Sequence, residues 1–177
     1  KWNSILVQLQ QEKPIQYITG EAWFYGLQFE VNENTLIPRP ETEELVEWII
    51  ESQKSKVQSQ KLEILDIGTG TGCIPISLKT NLLQANVSAI DVSEKALEVA
   101  KRNAQSNKVE VNFIQTNILE VEDLNQHFDI IVSNPPYVRN LEKQEIKKNV
   151  LDYEPHLALF VEDTDALLFY RKIAQLA

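Results

Sequence analysis

The spacing of apolar positions changes character at Lys61. Before it, "AWFYGLQFEVNENTLIP" sets short apolar and aromatic runs around Gly26 and the turn-forming Asn32-Glu33-Asn34, which predicts a short hairpin. In "RPETEELVEWII", Leu45, Val46, Trp48 and Ile49 form an apolar helical stripe. Pro40 suits its first position, and Glu41, Glu43 and Glu44 suit the positive end of its dipole. The polar "ESQKSKVQSQK" predicts the end of that helix and an exposed linker. From Lys61 onward "LEILDI", "CIPISLKTN", "NVSAID", "SEKALEVAKRNAQ", "VEVNFIQTN" and "FDIIVS" alternate strand with helix. Strands this continuously apolar predict an α/β fold, a parallel sheet covered by helices on both faces. Ser93 is placed to cap the helix that buries Leu97, Ala100 and Ala104. After Tyr137 a charged loop, "RNLEKQEIKKN", leads to "LDYEPHLALF" and a helix predicted from Asp165 onward. Four parallel strands are expected, and the apolar fourth, Phe128 to Val132, calls for a further strand beside it.

Composition narrows the class. With 177 residues and 43% hydrophobic side chains the chain supports one core. One Cys excludes a disulfide framework and a multi-cysteine metal site, and no apolar run approaches the ~20 residues of a membrane span. A cytoplasmic setting is expected, with no membrane partner. The net charge of −9 works against a long polyanion as partner. The chain contains no Met and begins at Lys1, so both ends are read as cut.

The run "LDIGTGTGCI" packs three of the chain's five glycines, Gly68, Gly70 and Gly72, between a strand and a helix. Such a cluster serves either as a tight turn or as a loop that lets a nucleotide-type cofactor approach the main chain. Cys73 stands where the dinucleotide fingerprint requires its third glycine, which disfavours a pyrophosphate. Asp66, just ahead of the loop, is expected to favour an ammonium or sulfonium nearby. Asp91, ending the second strand, can accept both hydroxyls of a ribose or serve the helix start at Ser93. Asn117, ending the third, can meet an adenine edge or close a plain turn.

The fourth strand runs into Asn134-Pro135-Pro136-Tyr137. In a doubly wound sheet this strand lies beside the first, so its turn faces the same crevice as the glycine loop. Two prolines remove N–H donors and fix the chain, leaving the Asn134 side-chain oxygen and the Pro135 carbonyl as bare acceptors. That arrangement suits a substrate bearing a planar NH₂ group, on whose flat face Tyr137 can stack. His127 and His156 fit no metal or triad pattern and are read as structural, and Cys73 as a small packed residue.

Taken together, "LIPRPETEELVEWI", "LDIGTGTGCI", "DVSEKALEVAKRNA", "DIIVSNPPYV" and "YEPHLAL" resemble the bacterial HemK/PrmC family, protein-glutamine N5-methyltransferases that act on peptide chain release factors. The resemblance covers Ile15 to the end and implies a Rossmann-like S-adenosylmethionine-dependent methyltransferase domain over 21–177, with later strands missing. It implies that 1–20 is the tail of a helical recognition domain. It further implies Gly68, Thr69, Gly70, Thr71, Gly72, Asp91, Asn117 and Asn134 as cofactor contacts. Asn134, Pro135, Pro136 and Tyr137 become the catalytic turn, acting on the glutamine of a Gly-Gly-Gln loop, with nucleic acid met only indirectly through the ribosome. The family often has an acid at Asn117 and Ala at Pro75, although Pro75 falls in the first helical turn where proline is tolerated. The alternative is methylation of an exocyclic amine of adenine in DNA or RNA by the same four residues. The acidic balance and the lack of a basic aromatic segment speak against it.

Overall fold

The computed structural model describes residues 2–54 and 61–177, so most of the expected linker lies outside the described residues. The chain starts with helices α1 (Trp2–Gln10) and α2 (Ile15–Thr19), then a hairpin of β1 (Glu21–Phe24) and β2 (Leu27–Glu30). Its two-residue turn has positive φ at both Tyr25 (49°) and Gly26 (73°), the primed geometry whose twist matches that of paired strands. Ala22, Phe24 and Phe29 point inward, and the two phenyl rings meet edge to face at 6.2 Å. Helix α3 (Pro40–Lys54) starts at the expected proline and buries Val46, Ile49 and Ile50.

The central sheet comprises β3 (Glu63–Ile67), β4 (Asn86–Asp91), β5 (Asn112–Gln115) and β6 (Ile130–Ser133) in the order β5-β4-β3-β6, all parallel. Helices α4 (Cys73–Asn81) and α5 (Glu94–Ser106) make the two crossovers on the β4 side. Alternation along the strands splits the core into two layers. Ile64, Val87 and Val132 pack with α3, α4 and α5 on one face. Leu65, Ile67 and Ile90 pack on the other against Ile118 and Phe169, Ile173 and Leu176. These last three lie on α7 (Leu168–Leu176), which begins three residues later than expected. Strand β6 starts at Ile130 because Asp129 is used to close the sheet end. Its N–H donates to Glu63 O at 2.8 Å and its carboxylate accepts from Glu63 N at 2.9 Å.

Between Tyr137 and α7 the chain is more ordered than a charged loop. Two-residue strands β7 (Val138–Arg139) and β8 (Phe160–Val161) pair in parallel, with the short helix α6 (Lys148–Leu151) between them. Elements this short are beyond the reach of periodicity.

A carboxyl group lies inside the sheet layer. Asp66 shares the Ile64 face, has no exposed surface, and among the described residues neither carboxyl oxygen has a hydrogen-bond partner. Burial pushes its pKa up to about 7, opposed by the Thr69 hydroxyl and reinforced by the Asp91 carboxylate. Between the ordinary aspartate value and about 7 the folded chain therefore holds a proton that the unfolded chain releases. Stability falls as pH rises through this window, by roughly 4 kcal/mol in all. Asp66→Asn stays neutral throughout, so its unfolding free energy relative to that of the parent should rise between pH 4.5 and pH 8. Urea titrations at both pH values check this, and a constant gap would count against a protonated Asp66.

Candidate active site

Where the carboxyl ends of β3, β4 and β6 converge, a cavity of about 370 Å³ opens. This is the point where strand order reverses, since β4 lies on one side of β3 and β6 on the other. Its floor is the glycine loop. Gly68 and Gly70 take φ of 74° and 55°, and a Cβ built on either would meet only open space. Conformation rather than crowding therefore demands glycine there, and the bare backbone faces the cavity.

Gly72 differs. At φ 79° it caps α4, and an added Cβ would stand 3.0 Å from Ile76 Cδ1 and 3.1 Å from Ala100 Cβ. It lets α4 approach α5 and is not among the cavity-lining residues. The close-packing role expected of a glycine at position 73 thus falls one residue earlier. Cys73 itself is buried, and burial pushes its thiol up to about 12, so it is a packed, unreactive group.

The loop is held from below. Gly68 and Thr69 donate to Ile90 O at 2.9 and 3.1 Å. Asp91 Oδ2 accepts from Gly70 N at 2.8 Å and Oδ1 from Ser93 N at 2.9 Å, so one carboxylate ties the loop to the start of α5. Burial raises the Asp91 pKa, and backbone N–H groups of Ser93, Gly70 and Val92 hold it down. Ser93 is the side-chain cap of α5, accepting from Ala96 N at 3.2 Å. Asp91 therefore braces the helix start, one of its two sequence readings, and also lines the cavity.

Asn103 went unnoticed in the sequence. Fully buried on α5, it donates to Thr71 O at 2.9 Å and Glu30 O at 3.0 Å, and accepts from Glu30 N at 2.7 Å. It joins the loop to the hairpin. The available signal was an Asn beside Ala100 and Ala104 on the apolar face of α5.

Thr69, Thr71 and Asn117 also line the cavity. The Asn117 side chain is spent locally, accepting from Leu119 N at 3.2 Å and donating to Glu120 Oε1 at 2.8 Å, which caps the turn Ile118–Glu120. Asn134, Pro135 and Pro136 form the opposite wall. The Asn134 Nδ2 donates to Thr42 Oγ1 at 3.3 Å, and among the described residues no donor reaches its Oδ1. Tyr137 is 58% exposed and outside the lining. Asp66 is also outside it, so any influence on a bound cation passes through the loop.

The roof was not foreseen as part of the site. Residues 33–39 cover one side and Pro155, Leu157 and Ala158 another. Glu154, 4% exposed, joins them: Oε1 accepts from Arg39 Nη2 at 2.5 Å and Oε2 from Ile37 N at 3.2 Å. Tyr17 donates to Thr35 O at 2.6 Å, and burial followed by the Glu154 charge raises its pKa. The segments "LIPRPETE" and "YEPHLAL" thus meet over the cavity. His156 lies beyond it, edge to face with Phe160 at 5.1 Å.

The chain is similar to known proteins. A 68% identical relative from Flavobacterium psychrophilum, named release factor glutamine methyltransferase, aligns over 100% of this chain and 62% of its own length. A Bacteroides thetaiotaomicron protein of the same name is 49% identical over 98% of this chain and 61% of its own. The chain thus spans about 60% of the length of the curated relatives it matches. Among solved structures, the Pyrococcus abyssi tRNA (uracil-54, C5)-methyltransferase in complex with S-adenosyl-L-homocysteine superposes with a TM-score of 0.53 and 21% identity. The superposition covers 88% of this chain and 37% of that one, a likeness of fold. The model of the methyltransferase small domain matches residues 47–156, more than half of the chain and all four strands of the central sheet, and on that match the chain belongs to the methyltransferase small domain family.

Proposed function

We propose that this chain carries the catalytic domain of a protein-glutamine methyltransferase. It moves the methyl group of S-adenosylmethionine to the side-chain amide of the glutamine in the Gly-Gly-Gln loop of a peptide chain release factor. The observation that carries the reading is the Asn134 amide, whose NH₂ is taken by Thr42 while its oxygen has no donor among the described residues. A site prepared with a free acceptor suits a substrate that brings N–H donors. The names of the 68% and 49% identical relatives support the same substrate.

The cavity fits the cofactor. Bare backbone at Gly68 and Gly70 accepts close approach, and Asp91 keeps lone pairs for ribose hydroxyls beside its two backbone donors. Thr69 and Thr71 complete the loop, while Gly72 contributes by setting its height against α5. Asn117 and the neighbouring Ile118 and Leu119 offer a flat wall for adenine. The charged lining residues are Glu33, Asp91 and Arg39, and Arg39 is already paired with Glu154, which favours a cationic ligand over a pyrophosphate. When bound, S-adenosylmethionine supplies an electrophilic methyl on a sulfonium.

The chain's own groups prepare the nucleophile. Asn134 Oδ1 and the Pro135 carbonyl accept the two N–H bonds of the substrate amide, drawing its lone pair toward the methyl carbon. Pro135 and Pro136 remove competing donors and stiffen the wall. Tyr137, exposed at the rim, supplies an aromatic face over which the glutamine enters. On methylation the amide nitrogen would give up one proton to solvent, because Asn134 Oδ1 and the Pro135 carbonyl hold the N–H bonds but are too weakly basic to keep a proton. Positioning carries the catalysis, without a strong general base.

Residues 21–177 form the methyltransferase domain in this reading, and 1–20 the tail of a helical recognition domain. In support, α1 buries none of its own side chains. No helix of the described residues is long and apolar enough to cross a membrane. A release-factor substrate places the enzyme in the cytoplasm, near nucleic acid only through the ribosome.

Three outcomes are expected. Asp91→Ala should weaken S-adenosylmethionine binding by about 1.5–3 kcal/mol in calorimetry, and unchanged affinity in a folded variant would remove Asp91 from the site. Asn134→Ala should keep cofactor affinity while turnover falls on the order of 100-fold or more. Radiolabel from S-adenosylmethionine should reach a release factor carrying Gly-Gly-Gln, but neither its Gln→Glu variant nor an adenine-containing oligonucleotide. Label in the oligonucleotide alone would reverse the assignment.

A further inference from the structure

We infer that Thr42 is a positioning residue: its hydroxyl accepts from Asn134 Nδ2 and holds the Asn134 amide with its oxygen left for the cavity. The inference deepens the reading of Asn134 as the acceptor of a substrate NH₂ and rests on it. A primary amide has two orientations of nearly equal shape, and here they are chemically opposite. One presents an acceptor to the cavity. The other presents two donors, which would repel the N–H groups of an incoming amide.

Thr42 lies on the first turn of α3, is 9% exposed and lines the cavity. Its Oγ1 stands 3.3 Å from Asn134 Nδ2, across 92 residues of sequence. With the NH₂ engaged there, Oδ1 is the end left for the cavity. Once a substrate N–H occupies Oδ1, only the Nδ2 end can face Thr42, whose hydroxyl then serves as its acceptor and holds the amide in that orientation.

Thr42 is itself well placed. Its N–H donates to Arg39 O at 3.0 Å, closing the turn that starts α3. Arg39 and Ile37 are held by the buried Glu154, so the hydroxyl is fixed relative to the roof. A polar, β-branched residue would otherwise be an indifferent choice at this half-turn.

The test compares Thr42→Val, which keeps the branched shape without the hydroxyl, with Thr42→Ser, which keeps the hydroxyl without the methyl. In the full-length protein Thr42→Val should lower kcat for release-factor methylation on the order of 10-fold, leaving S-adenosylmethionine affinity and Tm near those of the parent. Thr42→Ser should restore kcat to within about 3-fold. Normal kcat in Thr42→Val, or a loss that Thr42→Ser does not rescue, would overturn the inference. A second readout does not depend on the substrate: the side-chain NH₂ resonance of Asn134, assigned by its absence in Asn134→Asp. It should shift and exchange faster with solvent in Thr42→Val and remain in place in Thr42→Ser. An unmoved resonance overturns the inference. A moved one, in a protein that methylates no release factor, sustains the positioning role and overturns the substrate instead.

Discussion

Strand β3 pairs on one edge with β4 and on the other with β6, and that double pairing decides where everything functional can lie. It sets Ile67 beside both Ile90 and Ser133, so that the segments following three strands must diverge around one space. Each segment has a separate chemical character. After β3 comes bare glycine backbone, after β4 a carboxylate, and after β6 an amide followed by two prolines. None is a site alone. A one-residue slip of β6 would turn Ile131 and Val132 to opposite faces and carry Asn134 out of reach of Thr42, so core packing and site geometry share one register.

Satisfying the backbone at this junction explains much of the polar network. A loop whose upper side must stay bare for a ligand can be secured only from its lower side. Ile90 O and Asp91 accept from the loop, and Asn103 donates to it. Roof and floor are secured in the same way, by buried groups with several partners. Glu154 binds a guanidinium and a backbone N–H, and Asn103 uses both ends of its amide. Such groups are costly to bury singly and stable when fully paired.

Local pattern and distant contact divide what could be read without coordinates. The hairpin, α3, the four parallel strands and the loop positions were legible because each rests on periodicity or on residues with unusual backbone behaviour, as at Gly68, Gly70 and Pro135. Glu154 was not, since nothing near it in sequence points to Arg39, 115 residues away. Asn103 gave a faint sign, a polar residue on an apolar stripe, whose meaning depends on the hairpin it meets. Gly72 and Tyr137 show the opposite limit: motif membership put them in the site, whereas one spaces two helices and the other stands at the rim. Asn117 is an intermediate case, at the wall as expected but with its side chain closing a turn.

The pairing of Arg39 with Glu154 also sets a schedule. A ribosome makes the roof segment early and its anchor 115 residues later, a wait on the order of 10 s at common synthesis rates. Through that interval the sheet can assemble as far as β6, with Asn134 at its end, while Arg39 has no carboxylate to close upon. Floor and wall are therefore complete before the roof is latched. The roof can be latched only after Glu154 emerges, and the cavity is completed by residues that follow it, Pro155, Leu157, Ala158 and Phe169.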